Sequence, residues 1–344
     1  MLGMVVQVVA GVALVAAAAW LLMDWLASEQ LAHIPAGRRI LRPPQDVQCL
    51  AQVDESIWAG GRDGLFIFAV DGSAQPVPAP LRGLHFVSAL LRESDGGVWV
   101  AHEDGMSYWK SGAVKHFSAQ AGAFPGRGLS VLRDREGTLW AGSERTLARL
   151  EGDVFRPLVM PDSFALSEVD VLYQDHAGAL WIGDSSPRSP GLIRRDARGF
   201  RLFTQRDGLP HLTINTIMQA GGSSALWVGT GFAGSGGAVL INNDAWRTIG
   251  RQHGLAGDKV RTIFEDSHGR LWFGSEYDGV ALFGDARLSV IDEAGGLAGP
   301  EVKAILEYPA DTFWLGTNGG LTRIERLQTA VGDSRFPGFG STPK

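Results

Sequence analysis

The stretch VRTIFEDSHGRLWFGSEYDGVALF, residues 260–283, decides the fold. A β-branched, apolar run from Val260 to Phe264 leads into Asp266-Ser-His-Gly269, a hairpin signal, and a second run follows around Trp272 and Gly274. Another turn, ending at Gly279, precedes a third run, Val280 to Phe283. The pattern occurs seven times. Its tryptophan strands read SIWAGG, GVWVAH, TLWAGS, ALWIGD, ALWVGT, RLWFGS and TFWLGT, with Trp58, Trp99, Trp140, Trp181, Trp227, Trp272 and Trp314 spaced by 41, 41, 41, 46, 45 and 42 residues. A glycine stands two positions beyond the tryptophan in every copy but one, where Ala101 replaces it. A fourth strand closes each copy, as at Gly199 to Phe203.

A four-stranded antiparallel sheet of this kind has two apolar faces. Copies arranged around an axis bury both, and a period of about 40–45 residues is that of propeller blades. The sequence therefore predicts an all-β, seven-bladed propeller over residues 39–330. In the last copy three strands are clear (Val302 to Leu306, Thr312 to Leu315, Leu321 to Ile324), while the fourth, after Ala330, is weak. Arg39 to Leu41 is strand-like and has no sheet of its own, so it is expected to complete the seventh blade and close the ring. Extra residues fall between second and third strands, and loops are expected at Asp184 to Gly191 in the fourth copy and at TGFAGSGG in the fifth. In a propeller those loops share one face with the connections between blades. Insertions on one face of a repeat array often mark the binding side, although such loops also lengthen at little cost.

The 344 residues hold 31 Lys and Arg against 37 Asp and Glu, a net charge of -6, so no broad basic footprint for nucleic acid is expected. A hydrophobic content of 45% supports a large core and excludes general disorder. Cys49, the single cysteine, excludes an internal disulfide and multi-cysteine metal sites. Met1 to Met23 carries no charged side chain and, as a helix, would be about 34 Å long. Residues 1–25 are thus predicted to form a transmembrane or signal-anchor helix, followed by a linker over 26–38, with a polar tail at 331–344. A cleaved signal peptide is the alternative, with Ala16 to Ala19 as the small residues, but no basic region precedes the apolar run. Arg38, Arg39 and Arg42 follow the apolar segment and weakly favour a cytoplasmic propeller.

The runs at 260–283 and VDVLYQDHAGALWIGD at 169–184 resemble the two-component regulator propeller repeat, an Ile/Val-rich strand followed by Glu/Asp-Asp-x-x-Gly, Leu-Trp-x-Gly-Thr and Gly-Leu-x-Arg. The likeness extends over about residues 45–327. It implies the extracytoplasmic sensing part of a membrane-bound hybrid histidine kinase: a ligand-binding or interaction role, a periplasmic propeller on a single-pass inner-membrane anchor, and no shared catalytic constellation or cofactor. After the propeller only the tail Val331 to Lys344 is expected, with no kinase, phosphoacceptor or DNA-binding part, so any output would pass through a partner.

The repeated tryptophans are assigned to packing between blades, and the Asp and Gly of the turns to hairpin geometry. Gly229 to Gly234 satisfies G-x-G-x-x-G, but no helix follows it, which removes the basis for phosphate binding. Ligand or partner contacts are expected on the loop face, from Arg62, Asp63, His102, Glu103, Arg145, Asp184, Arg188, His211, His253, Glu276 and Tyr277, with His85, Asp104, Arg127, Glu144 and Asp278 on the same rim. Both signs of charge suit a small polar ligand or a partner's loop, and a merely solvated rim is the alternative. Three functions follow: a non-enzymatic, membrane-tethered binding module; a structural subunit of a larger membrane complex, as propeller assembly factors are; or a metal-assisted lyase. The last rests on a likeness to streptogramin-lyase-type propellers, with His85, His102, His211 or His253 beside Glu103 or Glu276. No metal or cofactor is assigned.

Overall fold

The computed structural model describes residues 34–161, 164–221, 223–242, 245–284, 287–325 and 327. The expected anchor at 1–25, residues 26–33 of the linker and the tail at 331–344 lie outside them. Among the described residues no helix is long and apolar enough to cross a membrane.

Seven separate four-stranded antiparallel sheets form the molecule. Each alternates its side chains between two faces, and each face packs on the next sheet. The first strands of successive blades lie side by side all the way round, the last against the first, so the ring is closed. Blade 1 runs through Cys49–Val53, Ser56–Gly61, Gly64–Ala69 and Ala74–Gln75. Blade 6 runs through Val260–Glu265, Leu271–Ser275, Val280–Gly284 and Arg287–Ile291. Blade 7 takes Val302–Glu307, Thr312–Thr317 and Gly320–Glu325 from the end of the chain, and its outer strand is Arg38–Leu41, paired antiparallel with Leu41 opposite Leu321. The closing strand thus begins one residue earlier than the sequence indicated. Its arginines belong to the seam: Arg42 donates to the carbonyls of Gly319 and Ala298, and Arg39 Nη1 donates to Asp71 O at 3.1 Å, joining blade 7 to blade 1.

The repeated tryptophans lie in the layers between blades. Trp272, with no exposed surface, sits in a cluster with Val302, Phe313 and Leu315 of blade 7, its ring 4.7 Å from that of Phe313. Each indole N–H in such a layer needs an acceptor. Asp134, Asp175 and Asp266, each six residues earlier, accept from Trp140, Trp181 and Trp272 at 2.7, 2.7 and 2.8 Å. The same carboxylates accept a backbone N–H within the turn. The turn aspartate therefore joins hairpin to core, beyond the turn role expected for it.

One expectation fails in blade 5. TGFAGSGG is not a loop: strands Leu226–Phe232 and Ser235–Asn242 stay paired up to Phe232 opposite Ser235, with only Ala233 and Gly234 in the turn. Both turn residues have positive φ, 48° and 82°, the combination that lets a two-residue turn follow the twist of its strands. The extra residues therefore lengthen a hairpin. In blade 4, by contrast, the segment after Gly183 reaches Leu192–Asp196 from Leu180–Gly183 without regular structure, as expected.

Candidate functional site

At the entry to the inner strand of every blade but the third, which opens with Gly128, stands a buried Val or Ile. Val47, Val87, Val169 and Ile214 donate their N–H to carbonyls of Thr317, Gly61, Ser143 and Asp184, each in the preceding blade, which locks blade to blade on the loop face. Strand alternation turns the following residue the other way, and Gln48, Ser88, Asp170 and Lys303 all line one cavity. This cavity, of about 790 Å³, is completed by Gln45, Asp46, Arg62, Asp63, Phe86, Arg127 and Asn318. A second cavity of about 640 Å³ is lined by Leu84, His102, Glu103, Asp104, Met106, His116 and Glu144 among others. Phe86 and Arg127 belong to both walls.

Charges on the blade 6 and 7 side neutralise one another. Lys303 lies 2.5 Å from Asp46 and 3.4 Å from Glu301, Arg261 lies 3.0 Å from Glu301, and Lys259 lies 2.7 Å from Glu276. Across the cavity Asp170 has no such cation among the described residues. Burial pushes its carboxyl up to about 6, and Glu168 and Asp184 push the same way, against the hydrogen bond from Ser185 and the charge of Arg261.

The expected site residues separate into groups. Arg62 and Asp63 line the larger cavity, and His102 and Glu103 the smaller. His102 is almost fully buried, its Nδ1 accepts from the Asp104 N–H, and its Nε2 lies 2.8 Å from Ser107 Oγ, which in turn lies 2.8 Å from His116 Nδ1. Burial pushes its pKa down to about 4, so its ring is neutral at pH 7. Asp184 is fully buried and its two oxygens accept from the backbone of Ser167 and Ser186. His211 and His253 accept from the backbone N–H groups of Thr213 and Gly250. Arg145, Arg188 and Tyr277 are exposed, and none of these three lines either cavity. Cys49 is held as a thiol, its pKa pushed up to about 12 by burial, which removes it as a nucleophile.

Sequence reasoning missed Phe86, Asp46, Asp170 and Lys303. A usable signal existed for two of them, since Asp170 and Lys303 each follow the buried valine that opens an inner strand. Among the described residues one His and acid group has ligand atoms all within 4.8 Å of one another, His268, Glu307 and Asp311. It belongs to the turns between first and second strands of blades 6 and 7, on the face opposite both cavities.

Residues 254–277 match the family model described as two component regulator propeller. Among solved structures, the chain is similar to the extracellular domain assigned to the hybrid two component system BT3049 of B. thetaiotaomicron, with 17% identity and a TM-score of 0.71 over 85% of this chain and 41% of that one. The extracellular domain assigned to BT4673 of the same organism gives 16% identity and a TM-score of 0.64, over 83% and 39%. A streptogramin B lyase structure gives 14% and 0.61, over 84% and 96%. At these identities the likeness is one of fold, and the chain spans about two fifths of the length of the two extracellular domains. No curated protein matches it.

Proposed function

We propose that this propeller is a sensor-like, non-enzymatic recognition module, tethered to the inner membrane by its N-terminal segment, with the propeller in the periplasm and a ligand or a partner's segment bound on the loop face. The observation that carries the proposal is the polar cavity of about 790 Å³ against the axis, bordered by unequal loops. Exposed apolar side chains gather on the same face: of the five large ones among the described residues, Phe86, Val159, Phe232 and Tyr277 lie there and Val290 does not. Aromatic side chains beside a polar pocket supply contact area and orientation together. The fold likeness to extracellular domains of two-component systems supports the sensor reading.

The full chain, solubilised in detergent with whatever co-purifies, tests this by hydrogen exchange. Protection on ligand or partner binding is expected at residues 62–63, 84–88, 102–104 and 276–278. Protection confined to the opposite turns, such as Asp134 to Gly137, would overturn it. Protease accessibility in intact and opened cells reports the side of the membrane.

A further inference from the structure

Among the described residues not every cation on the loop face has a carboxylate within ion-pair distance. Arg127 is half-buried in the wall shared by the two cavities. Among the described residues it makes no hydrogen bond and no ion pair, and its Nε is shielded from solvent without a partner. Glu168 feels its charge only at longer range. Its half-buried neighbours on this face differ, since Lys259, Arg261 and Lys303 each have a carboxylate within 3.0 Å. A guanidinium N–H withdrawn from water without an acceptor is a costly arrangement unless something else supplies one.

Arg127 is also held in place. Its guanidinium lies over the Phe86 ring, 5.4 Å from the centroid, which leaves the donor edge of the fork open. Phe86 itself has a φ of 49°, a region that bulky residues rarely enter, and its N–H donates to Arg62 O at 3.2 Å. Backbone strain at a residue that positions another side chain is common at ligand sites. Arg62 stands beside it, lines the same cavity, and likewise has no hydrogen bond or ion pair from its side chain among the described residues.

We propose that the ligand of the larger cavity carries an oxyanion, a carboxylate or a phosphate group, received by the guanidinium forks of Arg127 and Arg62 against the ring of Phe86. The proposal rests on the loop face being the binding face. A planar guanidinium offers paired donors that match such a group, which an ammonium does not. The smaller cavity suits an anion poorly, because Glu103, Asp104 and Glu144 line it. In the larger one Asp46 is already paired with Lys303, Asp63 is exposed to solvent at the rim, and the raised pKa of Asp170 reduces its repulsion in mildly acidic solution.

Calorimetric titration of the full chain with inorganic phosphate and with citrate, at constant ionic strength, tests the assignment and separates the two oxyanions. Saturable binding is expected for at least one, weakened tenfold or more by Arg127→Ala, less by Arg62→Ala, and unchanged by Arg156→Ala on an exposed outer strand. Arg127→Lys keeps the charge and loses the fork, so it should also bind more weakly, with an unchanged melting temperature as proof of folding. Binding equal in all variants would mean an adventitious ion only and would overturn the proposal, as would no saturable binding below roughly 10 mM. Should hydrogen exchange place a co-purified ligand on the loop face of Arg127→Ala as firmly as on the unaltered chain, the oxyanion assignment falls while the recognition function stands. Protection absent from that face sinks both.

Discussion

On the turn face, Asp134, Asp175 and Asp266 accept an indole N–H from the core and a backbone N–H from their own hairpin. On the loop face, Arg127 and Arg62 have no acceptor among the described residues, and Phe86, Phe232 and Tyr277 show their rings to water. The turn face is made of hairpins within the seven sheets, and the loop face adds to its hairpins the connections from each sheet to the next. They differ because the turn shared by these three blades satisfies its polar groups internally in the same way each time, whereas the connections of unequal length do not repeat and leave some side-chain donors without a protein acceptor. The contrast places internally satisfied polar groups on one face and the unpartnered guanidinium groups of the proposed recognition site on the other.

Mutations in the layers between blades should break the molecule hardest. Trp272→Ala removes a fully buried ring packed on Phe313 and is expected to lower unfolding free energy by about 3–5 kcal/mol in urea titrations. Leu41→Ala thins the closing strand where it faces Leu321, and a loss of about 2–4 kcal/mol is expected, with hydrogen exchange rising first in blade 7. Exchange rising equally in every blade would show that closure is not local to that seam.

The Asp170 carboxyl gives a pH test. Its pKa in the fold, about 6, lies above the ordinary value of 3.8, so between these values the folded chain keeps a proton that the unfolded chain releases. Stability from this group is present below pH 3.8 and is lost as pH rises through 6. Asp170→Asn should therefore be more stable than the unaltered chain at pH 7, by no more than about 3 kcal/mol, with the difference vanishing near pH 3. A constant difference across that range would remove the electrostatic explanation.

On the turn face Asp134→Ala should cost about 1–2 kcal/mol, because it strips the acceptor from the Trp140 indole and from the Thr138 N–H. Tyr277→Ala, five residues beyond Trp272 but exposed, should leave stability within about 0.5 kcal/mol. If its cost approached that of Trp272→Ala, the division of labour between the faces would fail.

The blades, their number and the closing strand were legible because tryptophan and glycine recur with a period that only stacked sheets explain. Blade 5 was misread: Gly-rich sequence signals a loop, yet Ala233 and Gly234 at positive φ allow the ladder to run on to Phe232 and Ser235. The rim was legible only as a set of loops. Asp184 belongs to one of those loops and is spent on backbone N–H groups, while His102 ends the strand Val98–His102 and turns inward to Ser107. Side-chain direction in an irregular loop depends on what packs around it, and no period records that.

From the sequence alone came the repeat, the sheets it demands, the face on which unequal connections gather and the strand that seals the ring, since each follows from spacing and from the need to bury two apolar sides. Tertiary structure alone decided that Arg127 and Arg62 stand without an ion-pair partner beside Phe86, and that Asp170 and Lys303 meet in one cavity. Those residues come from different blades, and only closure of the wheel brings them to the wall of a single cavity.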